Sequence, residues 1–161
     1  MTAYTIIPSD MLGLVKTKQD AEECINACVN LHAALFSIKD SVENKIDEYF
    51  SYGKKNKILS LCRINKITMT SPEEVQHFVM YIKSEIEHLT VINMSVAFEP
   101  NEKTINMISL WFLNNINKAV LLDIVYDSKL IGGTIITYNG KYKDYSLRKK
   151  LENIDINNIH V

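Results

Sequence analysis

Long apolar runs are missing from this chain. No uninterrupted stretch approaches the roughly 20 apolar residues that cross a bilayer, so any membrane association has to run through partner proteins. The opening MTAYTIIPSD lacks the charged start and apolar stretch of a secretory signal, and it lacks the Arg-rich amphipathic character of a mitochondrial presequence. Large net charge is absent too: the formal value is −1, with acids and bases mixed along the chain. That excludes the basic footprint of a nucleic-acid binder. The three cysteines, Cys24, Cys28 and Cys62, are an odd number without the spacing of a disulfide framework, which points to a reducing compartment. Glycine and proline are scarce, at 5 and 3 residues, so each one that does occur carries positional meaning.

What is present suits a packed globule. The chain has 161 residues, 47% of them apolar and 23% charged, enough for one ordinary domain or two very small ones. No internal repeat and no low-complexity segment occurs. Residues 1–16 read as irregular chain or a short helix. From Thr17 to Phe50 there is no Gly or Pro, and Cys24, Cys28, Leu31, Leu35, Ile38, Val42, Ile46 and Tyr49 recur at steps of three and four. That pattern predicts one long helix with a single apolar stripe, stopped near Gly53. Residues 58–67 are ambiguous between helix and strand. Ser71-Pro72-Glu73-Glu74 is a helix start, with Ser71 as N-cap, Pro72 in the first turn and two acids at the positive end of the dipole. Val75, Phe78, Val79, Ile82, Ile86 and Leu89 supply its buried stripe.

At Thr90 the pattern changes. Residues 91–98 are rich in β-branched and apolar side chains and predict a strand. Asn101 caps a helix running to about Asn117, with Ile105, Ile108, Phe112 and Ile116 on one face and Trp111 at its edge. Residues 119–126 and 130–138 predict two more strands. Asn139-Gly140, where both positions tolerate positive φ, predicts a tight hairpin turn into a short return strand. Ser146 caps a last helix through about Ile154. The expected fold class is therefore α+β. A helical region, a reduced bundle over residues 1–90, precedes a two-layer β-α-β-β-β-α domain over residues 91–161.

Two short motifs are specific. Asp127-Ser128-Lys129-Leu130-Ile131-Gly132-Gly133 resembles the signature of the delta subunit of F-type ATP synthases, called oligomycin-sensitivity-conferring protein in mitochondria. Asp144-Tyr145-Ser146-Leu147-Arg148-Lys149-Lys150-Leu151 is similar to the same family's C-terminal motif. The resemblance covers roughly Val91 to Ile154 and rests on two motifs at the family's separation. It implies a non-catalytic peripheral-stalk subunit without a cofactor. Its helical half would bind alpha subunits of the catalytic head, and its C-terminal half would bind the b-type stalk subunit. The implied location is peripheral on the inner face of a bacterial cell membrane, with the matrix side of the mitochondrial inner membrane as the alternative. The residues it singles out for partner packing are Asp127, Leu130, Ile131, Gly132, Gly133, Asp144, Ser146, Leu147 and Leu151.

These residues also have a physical reading. Two adjacent glycines weaken a strand, so a bulge, a bend or a close backbone approach must require them. Gly132 and Gly133 are expected to let a helix seat close to the backbone, with Leu130 and Ile131 anchoring the hairpin in the core. Asp144 and Ser146 can both accept from free N–H groups at the start of the last helix. Leu147, Leu151 and Ile154 give that helix an apolar face.

Other groups of polar residues have plainer readings than chemistry. Cys24, Cys28 and His32 share a helical face and could hold a soft metal if Cys62 or His77 supplied a fourth ligand. A buried seam of small side chains accounts for them more simply, and no metal is expected. Glu73, Glu74, Glu85 and Glu87 read as a solvated helix face and not as acid–base machinery. His77 and His88 lack a nucleophilic partner, and the double glycine lacks the Gly-Lys-Ser/Thr ending of a phosphate cradle. Two alternatives to a stalk subunit remain: an interaction module self-associating through the Thr17–Phe50 helix, and a small enzyme with a polar pocket beside Gly133.

Overall fold

The structure is a computed structural model and describes residues 4–36 and 41–152. Five helices precede Thr90 among these residues: α1 (Pro8–Leu12), α2 (Lys18–Ala34), α3 (Val42–Tyr49), α4 (Tyr52–Ile64) and α5 (Pro72–Glu87). Then follow β1 (Thr90–Val96), α6 (Glu102–Ile116), β2 (Val120–Tyr126), β3 (Thr134–Tyr138), β4 (Lys141–Asp144) and α7 (Leu147–Glu152). The α+β class and the β-α-β-β-β-α order agree with the sequence expectation. The helical half is richer than expected.

Its main correction concerns the single helix over Thr17–Phe50. The chain forms two helices there, α2 and α3, which pack against each other. Thr17 caps the first, its Oγ1 accepting from the Asp20 N–H at 3.0 Å, and Ser41 caps the second through the Asn44 N–H at 3.3 Å. A straight helix of that span would be about 50 Å long and could not press its whole stripe against a core this small. Folding back brings Cys24, Cys28 and Leu31 into the same core as Val42 and Ile46. Ile38 lies outside the described residues. Gly53 does not stop a helix either. It sits in the first turn of α4, whose interior (Ile58, Leu61, Cys62) is buried, so the ambiguous stretch is helical as far as Ile64.

α5 is the central element of this half. Ser71 caps it, accepting from the Glu74 N–H at 3.3 Å. Val75, Phe78, Val79, Ile82 and Ile86 all lose their solvent contact, each burial stabilising by roughly 1.5–3 kcal/mol before entropy is subtracted.

The sheet is four-stranded in the order β2-β1-β3-β4. β1 pairs with β2 in parallel and with β3 antiparallel, and β3–β4 is the hairpin. Asn139 (φ 47) and Gly140 (φ 71) make its turn, as the dipeptide predicts. Strand alternation puts Ile92, Met94, Val96, Val120 and Leu122 on one face, where Ile105, Ile108 and Phe112 of α6 cover them. Asn101 caps α6 by accepting from the Thr104 N–H at 2.9 Å, and Asn117 ends it in the left-handed conformation. Ile116, expected on the covered face, is 42% exposed.

Two links join the halves at β2. Lys16 accepts from the Leu122 N–H at 2.9 Å, and Lys18 pairs with Asp123 at 3.2 Å. On the apolar side, Ala119 and Leu121 pack into the helical core.

Candidate functional site

α6 spans only part of the sheet face it covers. Beyond it, toward β3, lies an open groove of about 670 Å³. Met94 and Val96 of β1 and Ile136 of β3 line its floor, and Met107, Ile108 and Trp111 line its α6 wall. Phe98, Gly133, Thr134 and Tyr145 close the ends. Met107 is 62% exposed and Trp111 57%. Large apolar side chains left in water around a concavity mark a surface that takes a partner. Tyr145 is the one titratable side chain in the lining, so the groove offers no acid–base pair of the kind a reaction centre needs. Of the wall residues, sequence reading placed Trp111 and Ile108 on their helix but did not foresee the groove. The only available signal was a helix too apolar for one buried face.

The double glycine stands at the end of this groove, but not inside a strand. Residues 131–133 form a bend and β3 begins at Thr134, later than the expected Leu130. Gly133 has φ +83, a conformation that L side chains rarely adopt. A Cβ there would run into the Tyr145 carbonyl oxygen and come within 2.9 Å of the Ser146 Cα. Gly132 differs. Its added Cβ would meet only the Leu147 side chain, 2.6 Å from Cδ1, which can rotate away. The expectation of a close approach is met by the chain entering α7 instead of by the side of a helix. The Gly132 carbonyl accepts from the Leu147 N–H at 2.9 Å, and the Thr134 carbonyl accepts from the Tyr145 N–H at 2.9 Å.

Around this joint the two motifs interlock. Asp127 donates its N–H to the Val96 carbonyl at 2.9 Å and accepts from the Lys129 N–H at 2.9 Å, holding the turn that leads to the glycines. Leu130 is buried, but Ile131 is 69% exposed and anchors nothing. A residue in the bend need not follow the in–out alternation that the sequence pattern assumed. Asp144 accepts from the Ser146 N–H at 2.8 Å, and Ser146 Oγ accepts from the Lys149 N–H at 3.3 Å. The hydrogen bonds from the Ser146 side chain and backbone hold the Asp144 carboxyl below the usual carboxylate range. Leu147 and Leu151 are 45% and 54% exposed, and α7 has no buried residue. Their apolar face is therefore not core. Ile154 lies outside the described residues.

The other constellation is a packing seam. Cys24, Cys28 and Cys62 are buried and free. A hydrogen bond to Cys24 and then burial push the Cys28 thiol up, and burial alone pushes Cys62 up to about 12. His32 stacks edge-on against Phe36, and its carbonyl accepts from Gln76 Nε2 at 3.1 Å. His77 is exposed. No set of three or more His, Cys, Asp or Glu ligands converges among the described residues. The expected solvated glutamates act locally: Glu74 accepts from the Thr68 N–H at 2.8 Å, and Glu87 pairs with Lys83 at 2.6 Å. No helix among the described residues is long and apolar enough to cross a membrane.

Comparison with known proteins covers both halves. A family model described as ATP synthase delta (OSCP) subunit matches residues 37–157. The match begins in the helical half, well upstream of the Val91–Ile154 stretch that holds the two motifs. A curated relative, ATP synthase subunit delta of Thermosipho melanesiensis, is 24% identical over 129 residues, covering 80% of this chain and 69% of that protein.

Proposed function

The chain belongs to the ATP synthase delta (OSCP) subunit family, and from that premise we propose that it is a non-catalytic peripheral-stalk subunit of a rotary F-type ATP synthase. It links the catalytic head to the b-type stalk and resists rotor torque. Residues 1–90 form the unit directed at the alpha subunits of the head, and residues 91–161 the unit that takes the b-type subunit. The assembly sits peripherally on the inner face of a bacterial cell membrane, with the mitochondrial inner membrane, matrix side, as the alternative. The chain meets the membrane only through its complex.

The observation that carries this reading is the apolar groove between α6 and β3. A stator has to hold its partner firmly and perform no chemistry, which calls for apolar complementarity on a rigid frame. The wall is a capped helix and the floor is paired sheet. The end is a joint in which Gly133 lets two backbone segments touch. Self-association through one long helix loses its basis, because the stripe that would drive it is divided between α2 and α3 and buried.

Calorimetric titration of the full chain with the C-terminal segment of a b-type stalk subunit tests the reading. Binding at micromolar concentration or tighter is expected, with loss in Met107→Asp, where a charge enters the groove wall. Absence of binding by the unmodified chain would overturn it.

A further inference from the structure

Residues 4–17 precede the first long helix and touch both halves of the molecule. At their start, Tyr4 packs on two rings of α5, with centroids 5.1 Å from Phe78 and 5.2 Å from Tyr81. Its carbonyl accepts from the Tyr81 hydroxyl at 3.5 Å. Thr5 exchanges two hydrogen bonds with Asn65 at the end of α4. Its N–H donates to Asn65 Oδ1 at 2.7 Å, and its carbonyl accepts from Asn65 Nδ2 at 3.1 Å. In α1, one Asp10 oxygen meets the Lys57 ammonium of α4 at 2.8 Å, and the other accepts from the Ile7 N–H at 3.1 Å. The Asp10 and Lys57 side chains are only 15% and 26% exposed, so water screens this pair less than a surface one. All these attachments are to the helical half. The same segment then reaches the other half. α1 packs against α6, the Lys16 carbonyl accepts from the Leu122 N–H at 2.9 Å, and Thr17 stands beside Leu122 as a parallel bridge partner at the outer edge of β2.

The direct connection between the halves is slight by comparison. α5 ends at Glu87 and β1 begins at Thr90, so His88 and Leu89 alone join them. Beside this joint the halves stand apart. A cleft of about 280 Å³ is bordered by His88 and Leu89, by Ile7, Pro8 and Met11 of the N-terminal segment, and by Lys118 ahead of β2. Two units with a short connection and a modest contact turn relative to each other by default. The packing of Ala119 and Leu121 into the helical core fixes one place of contact. Fixing an angle takes a further attachment, and residues 4–17 supply it.

We propose that residues 4–17 are a strap that locks the angle between the two halves, and that the chain turns about His88 and Leu89 once the strap is released. If the halves face the head and the stalk, the strap sets the angle at which they are joined. That use rests on the function proposed above, whereas the lock is a property of the free chain.

Residual dipolar couplings of the backbone amides of the full chain measure the angle. In the unmodified chain, one alignment tensor is expected to fit α2, α5, β1 and β2 together. Tyr4→Ala/Asp10→Ala frees the strap from α4 and α5, and the two halves should then require separate tensors. Leu122 gives a second readout. Its N–H donates to the Lys16 carbonyl, so its hydrogen exchange reports departure of the strap from β2. β1, paired on both sides, reports opening of the sheet itself. Asp10→Ala alone should speed exchange at Leu122 roughly tenfold, the scale of one lost charge-assisted hydrogen bond, with β1 unchanged. Separate tensors in the unmodified chain overturn the proposal, and so does a single tensor in the double variant. Leu122 exchange that stays constant in Asp10→Ala, or that rises in step with β1, overturns it as well. No partner enters these measurements, so their failure leaves the stalk reading standing. Failure of a b-type segment to bind, in turn, leaves the strap standing.

Discussion

α5 and α6 are helices of nearly equal length, 16 and 15 residues, in the two halves of the molecule. α5 alternates charged and apolar positions and buries Val75, Gln76, Phe78, Val79, Ile82 and Ile86. α6, with its Ile-Asn-Met-Ile-Ser-Leu-Trp-Phe-Leu core, is the more apolar sequence, yet Ser109 is its one buried residue. Met107, Leu110, Trp111 and Ile116 remain in water. The first helix is finished by its own chain. The second is too apolar for the face it covers, and the surplus surrounds a groove. Apolar content therefore measures how much surface a helix must hide, and the contacts within the chain show how much remains for a partner.

Substitutions on the two helices should separate stability from binding. Phe78→Ala on α5 is expected to cost about 3–5 kcal/mol, read as a lowered denaturant midpoint in the free chain. Gly133→Ala comes next, at about 2–3 kcal/mol, because it adds a Cβ against a carbonyl at positive φ. Gly132→Ala should cost under about 1 kcal/mol, since only the exposed Leu147 side chain has to move. Equal losses at the two glycines would show that the backbone approach at Gly133 is not what the joint depends on. Trp111→Ala should leave the free chain within about 1 kcal/mol of its starting stability but weaken b-type segment binding roughly 30-fold. A large stability loss there would place Trp111 in a core and contradict the contrast with α5.

The smallest effect concerns pH. The folded Asp144 carboxyl titrates below its unfolded value, so the stability it contributes is present above the unfolded value. That contribution is lost as pH falls through the folded value. Acidification below about pH 4 should loosen the β4–α7 joint, followed by amide exchange at Ser146. Asp144→Asn should abolish that acid dependence. An unchanged profile in the variant would assign the effect to other carboxylates.

Legibility from sequence followed the range of the interactions. Ser71-Pro72, Asn101 and Asn139-Gly140 each fix local backbone through caps or positive φ, and all three stand where the sequence puts them. The division of Thr17–Phe50 into α2 and α3 was hidden, because an apolar stripe continues in phase across a fold-back and only the size of the core forbids one straight rod. Gly53 misled for a related reason: glycine in a first helical turn weakens the helix only slightly, and burial of Ile58 and Leu61 outweighs it. At the site, the glycine pair announced a close approach, but its identity as a bend against Tyr145 depends on contacts between segments. The groove was not legible, since it is the space α6 leaves uncovered.

The contrast between the two helices is tested most directly by amide hydrogen exchange of the full chain, free and saturated with a b-type stalk segment. Protection is expected to rise along α6 from Thr104 to Trp111 and at Ile136, while the buried face of α5 from Val75 to Ile86 is expected to exchange slowly and equally in both states. Protection gained on α5 with α6 unchanged would contradict the account.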